Sequence, residues 1–259
     1  MSLDQHKRFV KQQTATRDRF LGGRLTLSQP GNGFRAGLDS VLLGAAVGPD
    51  RTALLDLGSG VGTAAFVALT HNGTLAATLV DLNAEMIALA QQNASENGLA
   101  ARVTTLVADV AASGTVRQAA GMGENSYDTV IANPPFFTHG TLSPQAARAD
   151  ARHMDADLLD RWIKAAAGAA GAGGEIIFIY PAASLAPLLA GFTQRFGAVT
   201  ILPLSPRPGE AASRVLIRAI KGSRAPLTLL STRALHEDTA RTFAPQFDAI
   251  FRGEDRLRW

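Results

Sequence analysis

Residues 53–62 read Ala53-Leu54-Leu55-Asp56-Leu57-Gly58-Ser59-Gly60-Val61-Gly62. The first five residues are an apolar run broken only by Asp56, which is typical of a short buried strand. Three glycines follow at alternate positions. They let the chain turn tightly into a helix and bring its backbone against a ligand without interfering Cβ atoms. The stretch therefore predicts the first strand–loop–helix unit of an α/β fold, with a ligand site at the glycines.

Apolar runs and helical patterns alternate on the C-terminal side of this stretch. This alternation predicts a doubly wound, mostly parallel sheet whose crossovers are right-handed. The last two strands are separated only by a short Pro/Gly-rich loop that cannot make a parallel crossover, so they should pair as an antiparallel hairpin. The seven predicted strands are Ala53–Leu57, Leu75–Val80, Val103–Val107, Tyr127–Ala132, Glu175–Tyr180, Val199–Leu204 and Arg214–Ile220.

Most of the chain is expected to form one large α/β domain. We place this domain at residues 36–259 and a basic N-terminal arm at residues 1–35. A helix from Phe34 to Val47, capped near Asp39-Ser40, is predicted at the boundary. A second helix, over Ala156–Ala170, is predicted to precede the fifth strand.

The glycine spacing indicates the kind of ligand. The loop reads G-x-G-x-G, with Gly58, Gly60 and Gly62, and not the G-x-G-x-x-G that holds a dinucleotide pyrophosphate. Asp81 and Asp109 follow the next two predicted strands, at the strand ends where ligands of such sheets bind. Asp81 is placed to accept hydrogen bonds from ribose hydroxyls, and Asp109 from an adenine amino group. We therefore predict a ligand with an adenosine and no pyrophosphate.

A proline-rich tetrapeptide, Asn133-Pro134-Pro135-Phe136, follows the fourth strand directly. The two prolines remove backbone donors and stiffen the loop, which leaves the Asn133 carboxamide and a carbonyl to accept both protons of a planar NH2 group. Holding both protons draws the nitrogen lone pair out of conjugation and aims it at an electrophile, which is catalysis by positioning and electrostatics. Phe136 offers a face on which a flipped-out base can stack.

The charge is distributed unevenly along the chain. Residues 1–35 hold seven Lys/Arg against two Asp/Glu, and residues 205–233 hold six against one. Residues 36–204 carry a net charge of −6. Positive segments on both sides of an acidic centre suit a phosphate-bearing partner such as RNA, although an ordinary solvated surface would also show them.

Composition excludes several classes of site. The chain has no cysteine, which rules out disulfides and thiolate zinc sites, and its five histidines are never paired at ligand spacing, so no metal is expected. Charged residues near the N-terminus exclude an export signal, and glycines and prolines interrupt the most apolar region, residues 165–192. We therefore expect a cytoplasmic protein without a membrane span.

The glycine loop together with Asn133-Pro134-Pro135-Phe136 resembles the Rossmann-like, class I methyltransferases that act on amino groups. Three further segments resemble the tRNA(Val) adenine-N6 methyltransferase family, and the likeness extends over about residues 20 to 222. They are Gly33-Phe34-Arg35-Ala36-Gly37-Leu38-Asp39-Ser40-Val41-Leu42-Leu43, Ala151-Arg152-His153-Met154, and Arg214-Val215-Leu216-Ile217 with Lys221-Gly222.

The resemblance implies a catalytic domain that transfers a methyl group from S-adenosyl-L-methionine to the exocyclic N6 of adenine in a structured RNA, a tRNA in this family. It implies catalytic roles for Asn133, Pro134 and Phe136. Cofactor contacts are expected at Asp56, Gly58, Gly60, Gly62, Asp81 and Asp109, and RNA contacts at Arg35, Arg152, Arg207 and Arg214. Phe136 stands where many relatives have tyrosine, and Met154 where the family has an acidic residue.

Two other acceptors share this chemistry. A release factor presents a glutamine side-chain amide, which is also a planar NH2, and ribosomal RNA presents the N2 of guanine. Release-factor methyltransferases usually carry a helical substrate-binding domain in front, and about 35 residues precede the predicted domain here, which disfavours that alternative. A binding scaffold without chemistry is disfavoured because Asp56, Gly58, Gly60, Asp81 and Asn133 are all present.

Overall fold

The computed structural model of the chain describes residues 15–31, 35–135, 145–237 and 242–259, with the backbone alone described over 145–155. The helices are α1 (Leu38–Ala45), α2 (Thr63–His71), α3 (Ala84–Glu96), α4 (Gly114–Ala119), α5 (Gln145–Ala169), α6 (Leu185–Thr193) and α7 (Pro245–Phe251). The strands are β1 (Ala15–Phe20), β2 (Leu25–Pro30), β3 (Ala53–Leu57), β4 (Ala76–Asp81), β5 (Val103–Val107), β6 (Tyr127–Ala132), β7 (Ala170–Pro181), β8 (Phe196–Ser205), β9 (Arg214–Lys221), β10 (Thr228–Leu229) and β11 (Arg233–Ala234).

A nine-stranded sheet forms the centre of the described structure, in the order β10-β8-β9-β7-β6-β3-β4-β5, with β11 also paired to β8. Strands β5, β4, β3, β6 and β7 are mutually parallel, and β9 is antiparallel to both β7 and β8. The chain builds outward from β3 to β5 and then crosses back to β6, so the direction of winding changes between β3 and β6. Ligands of such sheets bind outside the carboxyl ends of the strands at this point.

The prediction of a doubly wound α/β sheet ending in an antiparallel hairpin is confirmed, and all seven predicted strands are present. The sheet is wider than predicted because β10 and β11 pair parallel to β8. Each has two residues, too few for an alternating pattern to be visible in the sequence.

The starts of three elements differ from the prediction by several residues. Helix α1 begins at Leu38 and not at Phe34. Helix α5 begins at Gln145 and not at Ala156, through an alanine-rich stretch of good helix formers. Strand β7 begins at Ala170 and not at Glu175, because residues 171–174 continue the strand through an irregularity in its pairing with β6. Several glycines in that stretch made it resemble a loop in the sequence.

The predicted cap of the first helix is wrong. Helix α1 has Gly37 at its N-cap, with no side-chain cap, and Asp39 lies inside the first turn. The Asp39 carboxylate instead accepts a hydrogen bond from Arg214 Nε at 2.9 Å. The Asp39 side chain, which the sequence predicts as a helix cap, therefore pairs with Arg214, a residue distant in sequence.

Part of the predicted arm is folded. Strands β1 and β2 form an antiparallel hairpin, and Leu21, Leu25 and Leu27 are buried in the main core. Buried Asn93 of α3 holds β2, since its carboxamide accepts from Ser28 N at 2.7 Å and donates to Ser28 O at 3.1 Å. The division between arm and domain at residue 35 stays a prediction, and residues 1–14 lie outside the described structure.

The core has two layers, one on each face of the sheet. One layer packs α1, α2, α3, the N-terminal hairpin and α7, and the other packs α5 and α6. Within the described ranges, no helix combines the length and apolar character that a membrane crossing requires.

Candidate functional site

A cavity of about 870 Å³ opens where β3, β4, β5 and β6 end. It lies at the point where the winding of the sheet changes direction, as expected for a ligand site in this fold. The structure brings seven of the predicted site residues to its walls. These residues are Asp56, Gly58, Gly60, Asp81, Asp109, Asn133 and Pro134.

The glycine loop forms one wall. Gly58 has φ of 67° and is followed by Ser59, whose N–H donates to Val80 O at 2.9 Å. A Cβ at Gly58 would lie 2.4 Å from the Trp162 ring, so a side chain is excluded both by the backbone conformation and by close packing. Gly62 does not line the cavity. A Cβ there would lie 2.5 Å from the Phe66 ring, so its lack of a side chain serves packing at the start of α2.

Asp81 connects the glycine loop to the end of β4. Its Oδ2 accepts from Gly60 N at 2.9 Å and its Oδ1 accepts from Asn83 N at 2.9 Å. Each carboxylate oxygen has more than one lone pair, so both can still accept a further hydrogen bond. The two backbone contacts fix the carboxylate in the half-buried wall of the cavity.

Asp109 lies two residues beyond β5. Its Oδ1 accepts from Ala111 N at 2.8 Å, which orients the carboxylate within its own turn. The preceding residue, Ala108, donates its N–H to Asp81 O at 3.0 Å, so the two acidic positions are joined through the backbone. Asp109 is exposed and faces the same cavity as Asp81.

Asp56 is a buried carboxyl group in the cavity wall, with 2% of its surface exposed. Burial raises the pKa of Asp56 to about 7, the N–H of Ala65 acts against this rise, and the charge of Asp81 adds to it. The carboxyl group is therefore close to its protonation midpoint at neutral pH. A cationic group placed in the cavity would favour the ionised form.

Asn133 and Pro134 bring the end of β6 to the same cavity. Asn133 is half-buried, Pro134 is buried, and Pro135 is exposed at the rim. Neither proline has an N–H, so the loop presents acceptors toward the cavity and few backbone donors. Phe136 lies outside the described residues, and its predicted stacking role stays a prediction.

Three of the four arginines predicted to bind RNA, Arg35, Arg207 and Arg214, are not in the cavity wall. Arg35 pairs with Asp18, Arg207 with Glu210 at 3.7 Å, and Arg214 with Asp39 at 2.9 Å. The side chain of Arg152 lies outside the described structure. About two-fifths of the side-chain surface of Arg35 and of Arg207 is exposed, so each guanidinium is accessible to a phosphate.

Several cavity residues were not identified from the sequence. Gln29, which is 1% exposed, lies in the N-terminal hairpin, and its carboxamide bridges Asp18 and the N–H of Ala36 at 2.7 and 2.8 Å. Trp162 comes from α5, where its spacing indicates only a buried helix face. The sequence predicts an arm and not a hairpin over these residues, so no sequence signal places Gln29 in the cavity wall. Other residues in this group are Pro30, Ser40, Ser59, Met86 and Leu158.

In the parts of the chain that the structure describes, no three His, Asp or Glu side chains are grouped so that they could hold a metal ion.

Comparison with known proteins identifies a family. The family model for the methyltransferase small domain matches residues 38–202. A crystal structure described as a predicted O-methyltransferase from Agrobacterium tumefaciens is 30% identical, with a TM-score of 0.73, over 85% of this chain and 98% of that one.

Two relatives carry the name tRNA1(Val) (adenine(37)-N6)-methyltransferase. The protein from Pedobacter heparinus is 26% identical over 60% of this chain and 63% of its own length, so the match covers less than two thirds of that relative. The protein from Shewanella loihica is 28% identical over 71% of this chain and 76% of its own length.

Proposed function

The chain belongs to the methyltransferase small domain family. We propose that it transfers a methyl group from S-adenosyl-L-methionine to the N6 of an adenine in tRNA. One observation carries the proposal: Asn133 and Pro134 open on the same cavity as Asp81 and Asp109. A group that holds a planar amine is thus adjacent to a site that suits an adenosine. A cytoplasmic location is part of the same proposal.

The cavity fits the cofactor. Its volume of about 870 Å³ is in the range of sites for drug-sized ligands. The Oγ atom of Ser59 in its wall is buried and has no hydrogen-bond partner among the described residues, so a polar ligand group would satisfy it. The cofactor supplies an electrophilic methyl group on a sulfonium.

Each part of the wall has a distinct role in this proposal. Asp81 accepts hydrogen bonds from the two ribose hydroxyls, and Asp109 accepts one from the adenine amino group. The backbone at Gly58 and Gly60 approaches the amino-acid end of the cofactor. The buried Asp56 would provide a negative charge in the cavity wall for the ammonium and sulfonium groups of the cofactor.

The acceptor nitrogen is held at Asn133. The side-chain oxygen accepts one proton of the target NH2, and a loop carbonyl accepts the other, which localises the nitrogen lone pair toward the methyl group. Attack by the neutral nitrogen on the methyl group would release S-adenosyl-L-homocysteine and leave a cationic methylated amine. That amine is acidic enough to lose its extra proton to water, so no strong general base is required. An acceptor of this geometry favours a planar nitrogen over a hydroxyl oxygen.

The RNA part of the proposal has two supports. The relatives from Pedobacter and Shewanella are named for adenine 37 of a tRNA. Residues 1–35 and 205–233 carry the excess of Lys and Arg, and phosphate contacts from such segments dominate RNA affinity.

Methyl-labelled S-adenosyl-L-methionine tests the function directly. The protein is incubated separately with tRNA, ribosomal RNA and a release factor, and the products are digested and identified. We expect N6-methyladenosine in tRNA, including a tRNA(Val) transcript, and no label when adenine 37 of that transcript is replaced by guanine. Label in glutamine, in guanine N2 or on an oxygen would contradict the proposal.

Replacing Asp81 by alanine should weaken cofactor binding by about 1.5–3 kcal/mol, the range for charge-assisted hydrogen bonds. Titration calorimetry with S-adenosyl-L-homocysteine measures the change. Asp128→Ala is the matched control, because the Asp128 carboxylate also accepts backbone N–H groups, from Thr52 and Ala53, at residues outside the cavity wall. Unchanged affinity in a folded Asp81→Ala protein would remove Asp81 from the site.

RNA affinity should fall steeply as salt rises, while cofactor affinity changes little. The cause is release of counterions when basic side chains neutralise phosphates. Filter binding of tRNA between about 50 and 200 mM salt measures the slope, where six or more phosphate contacts would cost about 10³-fold or more. A flat response would make the basic segments ordinary solvated surface and favour a protein substrate.

A further inference from the structure

The turn that follows β5 forms the wall of the cavity at the Asp109 end. Asp109, Val110 and Ala111 all line the cavity, and Val110 is 4% exposed. Arg117 of α4 holds this turn through two of its carbonyl groups. Its Nη1 donates to Val110 O at 3.4 Å and, over a shorter distance, to Ala112 O.

The peptide group between Val110 and Ala111 connects Arg117 to Asp109. Its carbonyl accepts from Arg117, and its N–H donates to Asp109 Oδ1 at 2.8 Å. A trans peptide fixes the C=O and N–H in opposite directions, so the arginine sets the plane from which the N–H reaches the carboxylate. The second carbonyl, of Ala112, belongs to a residue whose N–H donates to Asp109 O at 3.2 Å. Arg117 is thus one hydrogen-bonded step from Asp109.

Arg117 is itself built into the structure. Its backbone carbonyl accepts from Met122 N at 3.0 Å, and its Nε is buried without a hydrogen-bond partner among the described residues. Burial lowers the pKa of the Arg117 guanidinium, while the charges of Glu124 and Asp109 act in the opposite direction. Burial of a cation costs free energy. The presence of a guanidinium here therefore indicates that the fold requires its hydrogen-bonding geometry at this position.

We infer that Arg117 is a positioning residue that orients Asp109 toward the adenine amino group of the cofactor. The inference rests on the proposed function, because it assigns that amino group to Asp109. With Ala111 N–H held on Oδ1, the carboxylate is fixed in the orientation that presents its remaining acceptor sites to the cavity. Arg117 does not line the cavity, so its effect on the ligand passes through Asp109.

Arg102 supplies a matched control at the other end of the same strand. It immediately precedes β5, and its guanidinium also holds backbone carbonyls, with Nη1 to Asn72 O at 2.8 Å, to Leu75 O at 3.2 Å and to Leu69 O at 3.3 Å. It lies outside the wall of the cofactor cavity. Arg102→Met therefore removes a carbonyl-binding arginine that adjoins the start of β5, without touching the Asp109 turn.

The experiment compares two probes by titration calorimetry. S-adenosyl-L-homocysteine carries the adenine amino group, and S-inosyl-L-homocysteine has a carbonyl oxygen in its place. We expect wild type to prefer the adenosyl probe and Arg117→Met to lose about tenfold in affinity for it, the size of one charge-assisted hydrogen bond. Affinity for the inosyl probe should change little, so the preference shrinks. Arg117→Lys, which keeps a cationic donor, should recover part of it.

Two further readouts separate positioning from loss of structure. At saturating cofactor, the single-turnover methylation rate of Arg117→Met should equal that of wild type, because Asn133 is untouched. In an Asp109→Ala background, Arg117→Met should cause no additional loss of preference, since both changes act on one contact. Arg102→Met should lower the melting temperature and leave the preference at its wild-type value.

The outcomes distinguish this inference from the function on which it rests. A wild type that binds neither probe would overturn the proposed function and this inference with it. A wild type that prefers the adenosyl probe, together with a folded Arg117→Met that keeps the full preference, would overturn only the role of Arg117. An equal loss of preference in Arg102→Met would also overturn it, because the effect would then be general destabilisation.

Discussion

Methyl transfer by the Asn133→Ala protein should be slower than wild type by about 10²–10³-fold, which corresponds to roughly 2.7–4 kcal/mol of barrier. The alanine removes the oxygen that accepts a proton of the target amine, so the nitrogen is no longer aimed at the methyl group. Single-turnover kinetics with a modified-nucleoside readout measures the loss. RNA affinity should be nearly unchanged, because phosphate contacts elsewhere dominate it.

Two further variants sharpen this test. Asn133→Asp keeps an acceptor of similar shape and adds a charge near the sulfonium, so it should retain partial activity. Thr129→Val is the matched control, because Thr129 lies in β6, the strand that leads to Asn133, is fully buried, and has an Oγ1 without a hydrogen-bond partner among the described residues. A wild-type rate in Asn133→Ala would mean that the proline loop is only a turn.

Replacing Asp56 by asparagine should have opposite effects on stability and on cofactor binding. At pH 8 we expect the free energy of unfolding of the ligand-free protein to rise by about 2–4 kcal/mol, because a buried charge is replaced by a neutral group of the same shape. The asparagine oxygen can still accept from Ala65 N, as Asp56 Oδ2 does at 3.2 Å. Cofactor affinity should fall about tenfold, since the cationic ligand loses an opposing charge.

The sign of the pH dependence follows from the raised pKa. The Asp56 carboxyl titrates at 3.8 in the unfolded chain and at about 7 when folded, so the unfolded chain loses its proton first. The contribution of the protonated carboxyl to the free energy of unfolding is fully present below pH 3.8. It is lost as the pH rises to about 7. The advantage of Asp56→Asn should therefore disappear near pH 4. Denaturant unfolding at pH 4, 6 and 8 measures it.

Glu175 offers a contrasting buried carboxylate. It is 2% exposed, and Arg51 and Arg218 lie 3.5 and 3.8 Å from its Oε2. Burial also raises the pKa of Glu175, although the charges of Arg51 and Arg218 act against this rise. Glu175→Gln removes the buried charge but leaves those two arginines without their partner, so it should raise stability at pH 8 less than Asp56→Asn does. A folded Asp56→Asn protein that is less stable than wild type at pH 8 would contradict the raised pKa of Asp56.

The sheet and the polar residues of the cavity wall at the strand ends followed from local sequence. Buried strands such as Ala53–Leu57 show continuous apolar runs, and each residue that follows a parallel strand must lie at the same edge of the sheet. Asp81, Asp109 and Asn133 each lie at or just beyond the end of a strand, so their meeting in one cavity could be predicted from their order along the chain. The glycines at 58 and 60 were predictable for the same reason.

The tertiary structure alone decided the rest, because those features depend on contacts between residues far apart in sequence. Arg214 takes Asp39 away from the predicted helix cap across 175 positions, and Asn93 fixes the N-terminal hairpin to α3 across 65. Gly62 packs against Leu79 of β4 outside the cavity, where a Cβ would lie 2.8 Å from the leucine side chain, whereas its neighbours in the same motif line the cavity. Sequence periodicity records which face of an element is buried. It does not record which distant side chain covers that face, and that pairing determined the cap of α1, the packing of the N-terminal hairpin and the position of Gly62.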